Sequence, residues 1–518
     1  MINIAINFQI FEYWGIILDL FILLSVAVFF FCQWCKNKDA VKIVFYLFLF
    51  LSVGLIIAGC QSIAIDQDEL ENLHCSWMIS NGLVPFRDFW QHHSPLFWLI
   101  LAPLIKLFKP SMFILDISRI FSLSTYLVSC FLGWRIAKAV WKESAQVSLY
   151  LLIFASVALR GQFYCLRPDM FMILLLLLGV RFTLMVPQGG LLPVFCAGMS
   201  MALAESFAPK QFLLLLLPMI AIVAFTNKNR LLKIIVYGLG LAVGVAPLLI
   251  YLIHAGILKD FLFWVFTFNI RLQVLVSDFP LLMAGLAVWS SVFLIKRYKE
   301  LKHQESLILF FAFLLSTLST LNVTIAGLSK YYNVFWCILC AIVCCSLNFS
   351  EVLKPVKSML YKGLIVGVVG GILLMPNMRT LDKKNVFKSD KKEINKILRI
   401  SRNGSVFVLL YKHPIFAYDV SRLYAGWQLG FMKDYKNVVE DTIQHGGVVD
   451  SIIAGKPSII QESTSDKGWL FIELVKDQVI TLKDYQRLRR FFIENYRVRF
   501  IGDIRYEVRN DIKIKSNS

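Results

Sequence analysis

Residues 166–187 read LRPDMFMILLLLLGVRFTLMVP. Between Asp169 and Pro187 the only charged side chain is Arg181. A helix of about 20 mostly apolar residues is long enough to cross the hydrocarbon core of a bilayer. Two further apolar runs, 190–208 and 210–227, follow after short breaks. This succession predicts a protein built from membrane-spanning helices.

The composition of the whole chain agrees with this interpretation. Of its 518 residues, 58% are hydrophobic and only 17% are charged, whereas soluble domains have about 25% charged residues. Apolar runs of spanning length recur, with one shorter run at 94–108; the full-length runs are 12–34, 42–60, 113–136, 144–160, 169–187, 190–208, 210–227, 231–253, 279–296, 306–324, 332–349 and 361–377. The predicted fold class is an all-α polytopic membrane bundle of about 12–13 transmembrane helices, followed by a small α/β domain.

The formal net charge of +19 has a membrane explanation, because Lys and Arg collect in cytoplasmic loops. No basic face with interleaved aromatic residues lies outside the apolar runs, so nucleic acid is excluded as a partner. Four basic clusters are predicted to be cytoplasmic: 36–42, 228–233, 296–302 and 354–362. This orientation places 61–93, 254–278 and everything after 377 on the outer face of the cytoplasmic (inner) membrane.

The number of crossings leaves one alternative open. The basic stretch 135–142 also indicates a cytoplasmic loop, so one of the predicted runs between the outer loop 61–93 and Asp169 does not cross. Either 94–108, which is short for a span, is juxtamembrane or re-entrant, or 144–160 does not cross. Both routes place Asp169 on the outer face.

After about residue 377 the composition changes to ordinary alternating polarity. Strand-like runs occur at Ser405–Tyr411, Trp469–Leu474 and Val498–Ile501, and helical patterns at Lys391–Ile400, Tyr435–Gln444 and Leu482–Tyr496. The predicted domains are therefore a transmembrane domain at 1–377, with an outer-face loop at 61–93, and a soluble extracytoplasmic α/β domain at 378–518.

The outer-face loop is rich in acidic, histidine and aromatic side chains. Its residues 66–95 read DQDELENLHCSWMISNGLVPFRDFWQHHSP. Its acidic start predicts a surface helix on which Asp68, Glu71 and His74 or Cys75 share one face. Asn81-Gly82 is predicted to end that helix. Carboxylates among interfacial aromatic residues can have raised basicity, which suits a general base.

A metal site is a second interpretation of the same helix. Glu71 and His74 have the i, i+3 spacing of metal ligands in helical bundles, and His92 is a candidate third ligand. No cofactor is certain from the sequence, and a divalent metal is the candidate.

The ordered motifs resemble those of the membrane-embedded C-type glycosyltransferases, which include protein O-mannosyltransferases and the aminoarabinose transferase that modifies lipid A. The resemblance covers the first 230 residues, and the remainder only in architecture. The matching segments are Asp68-Glu69, Gly82-Leu-Val-Pro85-Phe86-Arg87-Asp88, His93-Ser94-Pro95 and Leu166-Arg167-Pro168-Asp169.

The resemblance implies an inverting transfer of a sugar from a polyprenyl-phosphate carrier to a hydroxyl on the outer face. It implies that Asp68, beside Glu69, deprotonates the acceptor hydroxyl, and that Asp169 orients the acceptor or the base. A positioned carboxylate contributes about 10²–10⁴-fold to such a step.

The leaving phosphate requires positive charge or a metal. Substrate-binding candidates are Arg87, Asp88, His92, His93, Arg167, Lys210, Lys330 and Tyr331. His92 and His93 stand where relatives have an acidic residue and a Lys, which is a departure from the family pattern. Lys210 and Tyr331 have a simpler alternative as interfacial anchors.

Two other functions remain as alternatives. A lipid or glycan transporter or flippase would bind the same substrates without transfer chemistry, although transporters usually hold functional charges near the bilayer midplane in paired halves. A ligase or polymerase of surface polysaccharide would share substrates but not the Asp68-Glu69 motif. The sequence leaves open the sugar and whether the acceptor is a glycan, a lipid such as lipopolysaccharide, or a protein of the cell envelope.

Overall fold

The structure is a computed structural model, and it describes residues 65–108, 111–140, 166–209, 211–269, 304–325, 386–401, 404–408, 413–420, 447–463, 469–476, 478 and 480–513. Within these residues, three helices are long and apolar enough to cross a membrane: Phe113–Ala139, Pro168–Gln188 and Arg230–His254. Shorter apolar helices accompany them, so the described part of the chain is mostly helical, with one small sheet. The total number of spans stays a prediction, because six of the predicted runs (12–34, 42–60, 144–160, 279–296, 332–349 and 361–377) lie outside the described residues.

The described residues form two compact units. Unit 1 contains those within 119–247 and 304–325, and unit 2 contains those within 65–118, 248–269 and 386–513. The predicted tail domain therefore shares a unit with the outer-face loop.

Unit 1 is helical. Its helices, two of which extend beyond the unit, are α3 (Phe113–Val140), α4 (Pro168–Met185), α5 (Leu191–Phe207), α6 (Leu216–Phe225), α7 (Arg230–His254) and α9 (Gln304–Ile325), with 3₁₀ turns at Val186–Gln188 and Phe212–Leu215. Pro168 occupies the first position of α4, where its missing N–H costs nothing. The predicted runs 113–136, 169–187, 190–208, 210–227 and 231–253 form α3 to α7, and the run 306–324 forms α9.

Helices α5 and α7 pack through glycine. A Cβ on Gly240 would lie 2.3 Å from the backbone oxygen of Phe195, and one on Gly244 would lie 2.4 Å from that of Met199. Gly240 and Gly244 form a G-x-x-x-G pair, which lets transmembrane backbones approach closely.

Unit 2 joins three stretches of the chain. Its helices are α1 (Gln67–Ser80), α2 (Leu96–Phe108), α8 (Leu258–Phe261), α10 (Val386–Ser401), α11 (Gly447–Gly455), α12 (Leu470–Lys476) and α13 (Leu482–Asn495), with a π-helix at Leu262–Phe268. Its strands are β1 (Ser405–Phe407), β2 (Tyr418–Asp419), β3 (Ile459–Gln461), β4 (Tyr496–Ile501) and β5 (Ile504–Arg509).

The five strands form one mixed sheet in the order β2-β1-β3-β5-β4. Strand β1 is parallel to both β2 and β3, while β5 is antiparallel to β3 and β4. Alternate residues face opposite sides: Val406 and Ile459 pack with Ile397 of α10, and Phe407 and Ile460 pack with α11, α12 and α13. The sheet therefore has a helical layer on each face.

Most local predictions for the tail are confirmed where the chain is described. The helices at 391–400 and 482–496 and the strands near 405 and 498 are present. The strand predicted at Trp469–Leu474 is wrong, because this segment forms α12. Its buried residues Leu470, Phe471 and Leu474 follow a helical spacing. The apolar run is too short for its periodicity to distinguish a helix from a strand. The helix predicted at Tyr435–Gln444 lies outside the described residues.

The tail contains a buried charge cluster. Glu462, after β3, and Glu507, on β5, are both buried, and both pair with Arg489 and Arg505. Burial and the neighbouring carboxylate of Glu507 raise the pKa of the Glu462 carboxyl to about 7, against the effect of the two arginines.

This raised pKa predicts a pH dependence of stability. Between the unfolded pKa of 4.5 and the folded pKa of about 7, the folded state binds more protons than the unfolded state. The stabilisation is therefore complete below the unfolded pKa and is lost as pH rises through about 7. Hydrogen exchange of β3 and β5 in the full chain, corrected for intrinsic rates, is expected to be slower at pH 5.5 than at pH 8. Glu462→Gln should flatten this difference, and an unchanged difference would contradict the assignment.

Candidate active site

Helix α1 begins and ends as its sequence predicts. Asp66 is the N-cap, and its Oδ1 accepts a hydrogen bond from the Asp68 N–H at 2.9 Å. At the other end, Gly82 has a φ of 84° and its N–H donates to Ile79 O at 2.9 Å. The N–H of Leu83 donates to Met78 O at 3.1 Å, which completes a Schellman motif. The predicted helix end at Asn81-Gly82 is confirmed.

Asp68 lies in the first turn of α1 and is partly exposed. A carboxylate in this position is stabilised by the helix dipole. Its backbone oxygen accepts from Asn72 Nδ2 at 2.7 Å, and Asn72 Oδ1 accepts from Trp98 Nε1 of α2 at 2.7 Å. These bonds fix the start of α1 against α2.

Glu69 differs from Asp68 because it is fully buried. Ser118 Oγ donates to Glu69 Oε1 at 3.4 Å. A buried carboxyl held by a neighbouring helix is suited to positioning α1.

Glu71 is a buried carboxyl of α1 that contacts the turn after the helix. Gln91 Nε2 donates to Glu71 Oε1 at 2.6 Å and to Cys75 Sγ at 3.1 Å. Burial raises the pKa of Glu71 to about 7, and the hydrogen bond from Gln91 opposes that rise. Potential ligand atoms of Glu71, His92 and His93 lie within 4.8 Å of one another, a group able to hold a metal ion.

His74 takes part in a different group. Potential ligand atoms of His74, His413 and Asp419 also lie within 4.8 Å of one another. Burial and the neighbouring His74 lower the pKa of His413, against the effect of Asp419. Burial acts to raise the pKa of Asp419, but the two imidazoles outweigh it and hold that pKa well below its usual range.

The turn after α1 presents an exposed arginine. Asp88 Oδ2 accepts from the Val84 N–H at 2.7 Å, and Phe86 adopts a φ of 65° while its buried ring packs on Phe261. Arg87 Nε and Nη2 each donate to a different Asp88 oxygen, both at 3.0 Å. The guanidinium remains about half exposed (52%) and has further N–H donors.

Aromatic residues support the histidine pair. The Trp90 ring lies 5.2 Å from that of His92 and 6.1 Å from that of Phe268, measured between centroids. Asn269 Nδ2 donates to His92 O at 2.8 Å. The segment 254–278, which was predicted to lie on the outer face, contains the last residue of α7, then α8 and a π-helix, as far as it is described to Asn269, and it belongs to the same unit as the loop.

Unit 1 contains the second predicted motif. Arg167 Nε lies 3.2 Å from Asp169 Oδ2, and both side chains are buried at the start of α4. Glu205, near the end of α5, accepts the Gln211 N–H at 3.1 Å on each of its oxygens. The contact of Glu205 with Gln211 was not predicted from the sequence. A single acidic residue in an apolar run does not indicate which residue it contacts.

The structure thus divides the predicted site residues. Unit 2 contains Asp68, Glu69, Glu71, His74, Arg87, Asp88, His92 and His93, and unit 1 contains Arg167 and Asp169. Lys210, Lys330 and Tyr331 lie outside the described residues. The sequence interpretation missed Gln91, Asn72, His413 and Asp419, which contact the predicted residues.

The fold and the site together are those of a polytopic helical membrane protein with a polar cluster at the start of a helix outside the predicted spans. No protein-family model and no curated protein matches the chain. Among solved structures, it is similar to ArnT from Cupriavidus metallidurans bound to undecaprenyl phosphate, with a TM-score of 0.56 and 10% identity. The match covers 91% of this chain and 98% of that chain, and it shows that the fold is shared.

Proposed function

We propose that the protein is an inverting glycosyltransferase that moves a sugar from a polyprenyl-phosphate carrier to a hydroxyl acceptor on the outer face of the cytoplasmic membrane. One observation carries the proposal. Asp68 and Glu69 occupy the first turn of a capped helix that directly follows a predicted span, in a chain that shares the fold of ArnT, whose structure holds undecaprenyl phosphate.

The proposed reaction is a single displacement. The Asp68 carboxylate takes the proton of the acceptor hydroxyl while that oxygen attacks the anomeric carbon from the side opposite the phosphate. The bond between the anomeric carbon and the phosphate oxygen breaks, and the carrier leaves with the electron pair as polyprenyl phosphate. One glycosidic bond forms with inversion, and the proton stays on Asp68 until solvent removes it.

The developing negative charge on the phosphate is stabilised in this proposal by cationic groups. Arg87 suits the role because it is exposed and its pairing with Asp88 fixes the guanidinium. A divalent metal also fits unit 2, since Glu71, His92 and His93 offer one carboxylate and two imidazoles within 4.8 Å of one another. When bound there, such an ion would supply positive charge near the site.

One experiment identifies the substrates and tests the proposal. Mass analysis of envelope glycolipids and glycoproteins, with and without the active gene, should reveal a sugar that is covalently attached only when the gene is active. A transporter or flippase would instead change the location of a lipid-linked glycan without forming a new covalent product. That second result would overturn the proposal.

Asp169 is proposed to orient the acceptor or the base. Asp169→Asn keeps the size of the side chain but removes the charge that Arg167 faces at 3.2 Å. Misplacement of reacting groups by about 1 Å can cost 10²-fold, so transfer in membranes is expected to fall roughly ten- to a hundred-fold. Glu205→Gln, at a buried carboxyl outside the proposed chemistry, is the control for packing effects. Wild-type transfer by Asp169→Asn would reduce this residue to a structural cap.

A further inference from the structure

Three metal-ligating side chains converge in unit 2 from two distant parts of the chain. His74 lies on α1, whereas His413 and Asp419 lie before and on β2. His74 Nε2 is 3.3 Å from Asp419 Oδ2, and His413 Nε2 is 3.0 Å from Asp419 Oδ1. The side chains of both histidines are fully buried, and that of Asp419 is 4% exposed.

The hydrogen bonding of His74 fixes its tautomer, and the tautomer decides whether the nitrogen near the Asp419 carboxylate carries a hydrogen or a lone pair. His74 Nδ1 lies 2.9 Å from the backbone oxygen of Ile415. A carbonyl oxygen only accepts, so Nδ1 carries the hydrogen and donates. In the neutral imidazole, Nε2 therefore directs its lone pair toward Asp419 Oδ2. Two acceptors in contact repel unless a second proton or a cation lies between them.

This arrangement has the features of a metal-binding histidine. Ligating imidazoles commonly donate their other N–H to a backbone carbonyl, which fixes the ring and the tautomer. In tetrahedral zinc sites the metal–ligand distances of about 2.0–2.2 Å place neighbouring ligand atoms about 3.3–3.6 Å apart. Each imidazole lies near this spacing from one oxygen of Asp419, at 3.3 Å from Oδ2 and 3.0 Å from Oδ1, and one ligand atom from each of the three side chains lies within 4.8 Å of the other two.

The ring of Trp77 lies beside the cluster and packs on two further aromatic rings. The Trp77 ring lies 6.0 Å from that of His74, 4.8 Å from that of Tyr418 and 6.3 Å from that of Phe416, between centroids. Aromatic side chains beside a buried metal site limit access of water to it and strengthen the binding of a charged ion.

We propose that His74, His413 and Asp419 form a binding site for a divalent transition-metal ion of the zinc type, which fastens α1 to the segment 413–420. Two imidazoles and one carboxylate suit Zn²⁺ or Co²⁺, whereas Mg²⁺ and Ca²⁺ prefer all-oxygen sites. The site is distinct from the group of Glu71, His92 and His93, and it does not depend on the proposed transfer reaction.

Metal content tests the site directly. The full chain, purified in detergent and treated with chelator, is titrated with Co²⁺ or Zn²⁺ and its bound metal is measured. His413→Gln should bind one equivalent less than the wild type and should lose the visible absorption of four-coordinate Co²⁺ from this site. His254→Gln, at an exposed histidine outside both groups, is the matched control and should bind as the wild type does.

A replacement that restores a ligand separates metal binding from folding. His413→Cys supplies a thiolate, so the Co²⁺ complex should reappear with an added sulfur-to-metal charge-transfer band. Asp419→Asn keeps the shape of the side chain and is a second variant that should lose the metal. Equal metal content in the wild type, His413→Gln and Asp419→Asn, with no new band in His413→Cys, would overturn the proposal in favour of a protonated histidine–aspartate pair.

Discussion

Asp68→Asn is expected to abolish sugar transfer in membranes while the protein stays abundant and folded. The amide keeps the shape of the side chain but cannot accept the proton of the acceptor hydroxyl. Because general bases contribute about 10²–10⁴-fold, the loss should be at least about 10²-fold. The variant should leave the hydrogen bond from Asn72 to the backbone oxygen of residue 68 in place. Transfer is measured as labelled sugar moved to the acceptor per amount of protein.

Asp66→Asn is the matched control for this result. Asp66 is a carboxylate two residues away, and its side chain caps α1. Asn is an equally good N-cap, so this replacement removes a charge from the same helix end and preserves the helix. The control should retain most of the transfer activity. If Asp68→Asn also retains activity, the assignment of Asp68 as the base is wrong.

Gly240→Ala is expected to reduce strongly the amount of folded protein. The new Cβ would lie 2.3 Å from Phe195 O and 3.1 Å from the Met199 nitrogen, all backbone atoms that no side-chain rotation can relieve. Overpacking typically costs about 1–3 kcal/mol, and a backbone obstacle should place this variant at the upper end. The fraction of monodisperse protein after heating in detergent measures the effect.

Gly238→Ala is the control on the same helix. No atom of the described part of the chain lies within 4 Å of a Cβ at Gly238. Since Ala favours helix over Gly by about 1 kcal/mol, this variant should be as stable as the wild type or slightly more so. Equal behaviour of the two alanine variants would contradict the close packing of α5 on α7.

Local sequence signals were sufficient to predict the ends of the helices that bear several candidate site residues. The position of α1 followed from its acidic start and from Asn81-Gly82, and α4 follows the predicted apolar run 169–187. These features depend on neighbours within a few residues. A scan of a single sequence detects such neighbours.

The partners of the site residues could not be predicted in the same way. His74 contacts His413 and Asp419, which are more than 300 positions away, and hydropathy patterns do not specify such pairings. Gln91 contacts Glu71 because the turn after α1 reverses the chain. The sequence therefore indicated that Glu71 and His74 resemble metal ligands, while the structure assigns them to two separate groups.

The most direct test of the central proposal measures both products of the reaction. The purified protein is placed in vesicles with the polyprenyl-phosphate sugar and the acceptor that mass analysis identifies. One polyprenyl phosphate should be released for each sugar transferred, the anomeric configuration should be inverted, and Asp68→Asn should release none. Movement of the intact lipid-linked sugar across the bilayer without release of polyprenyl phosphate would contradict the account.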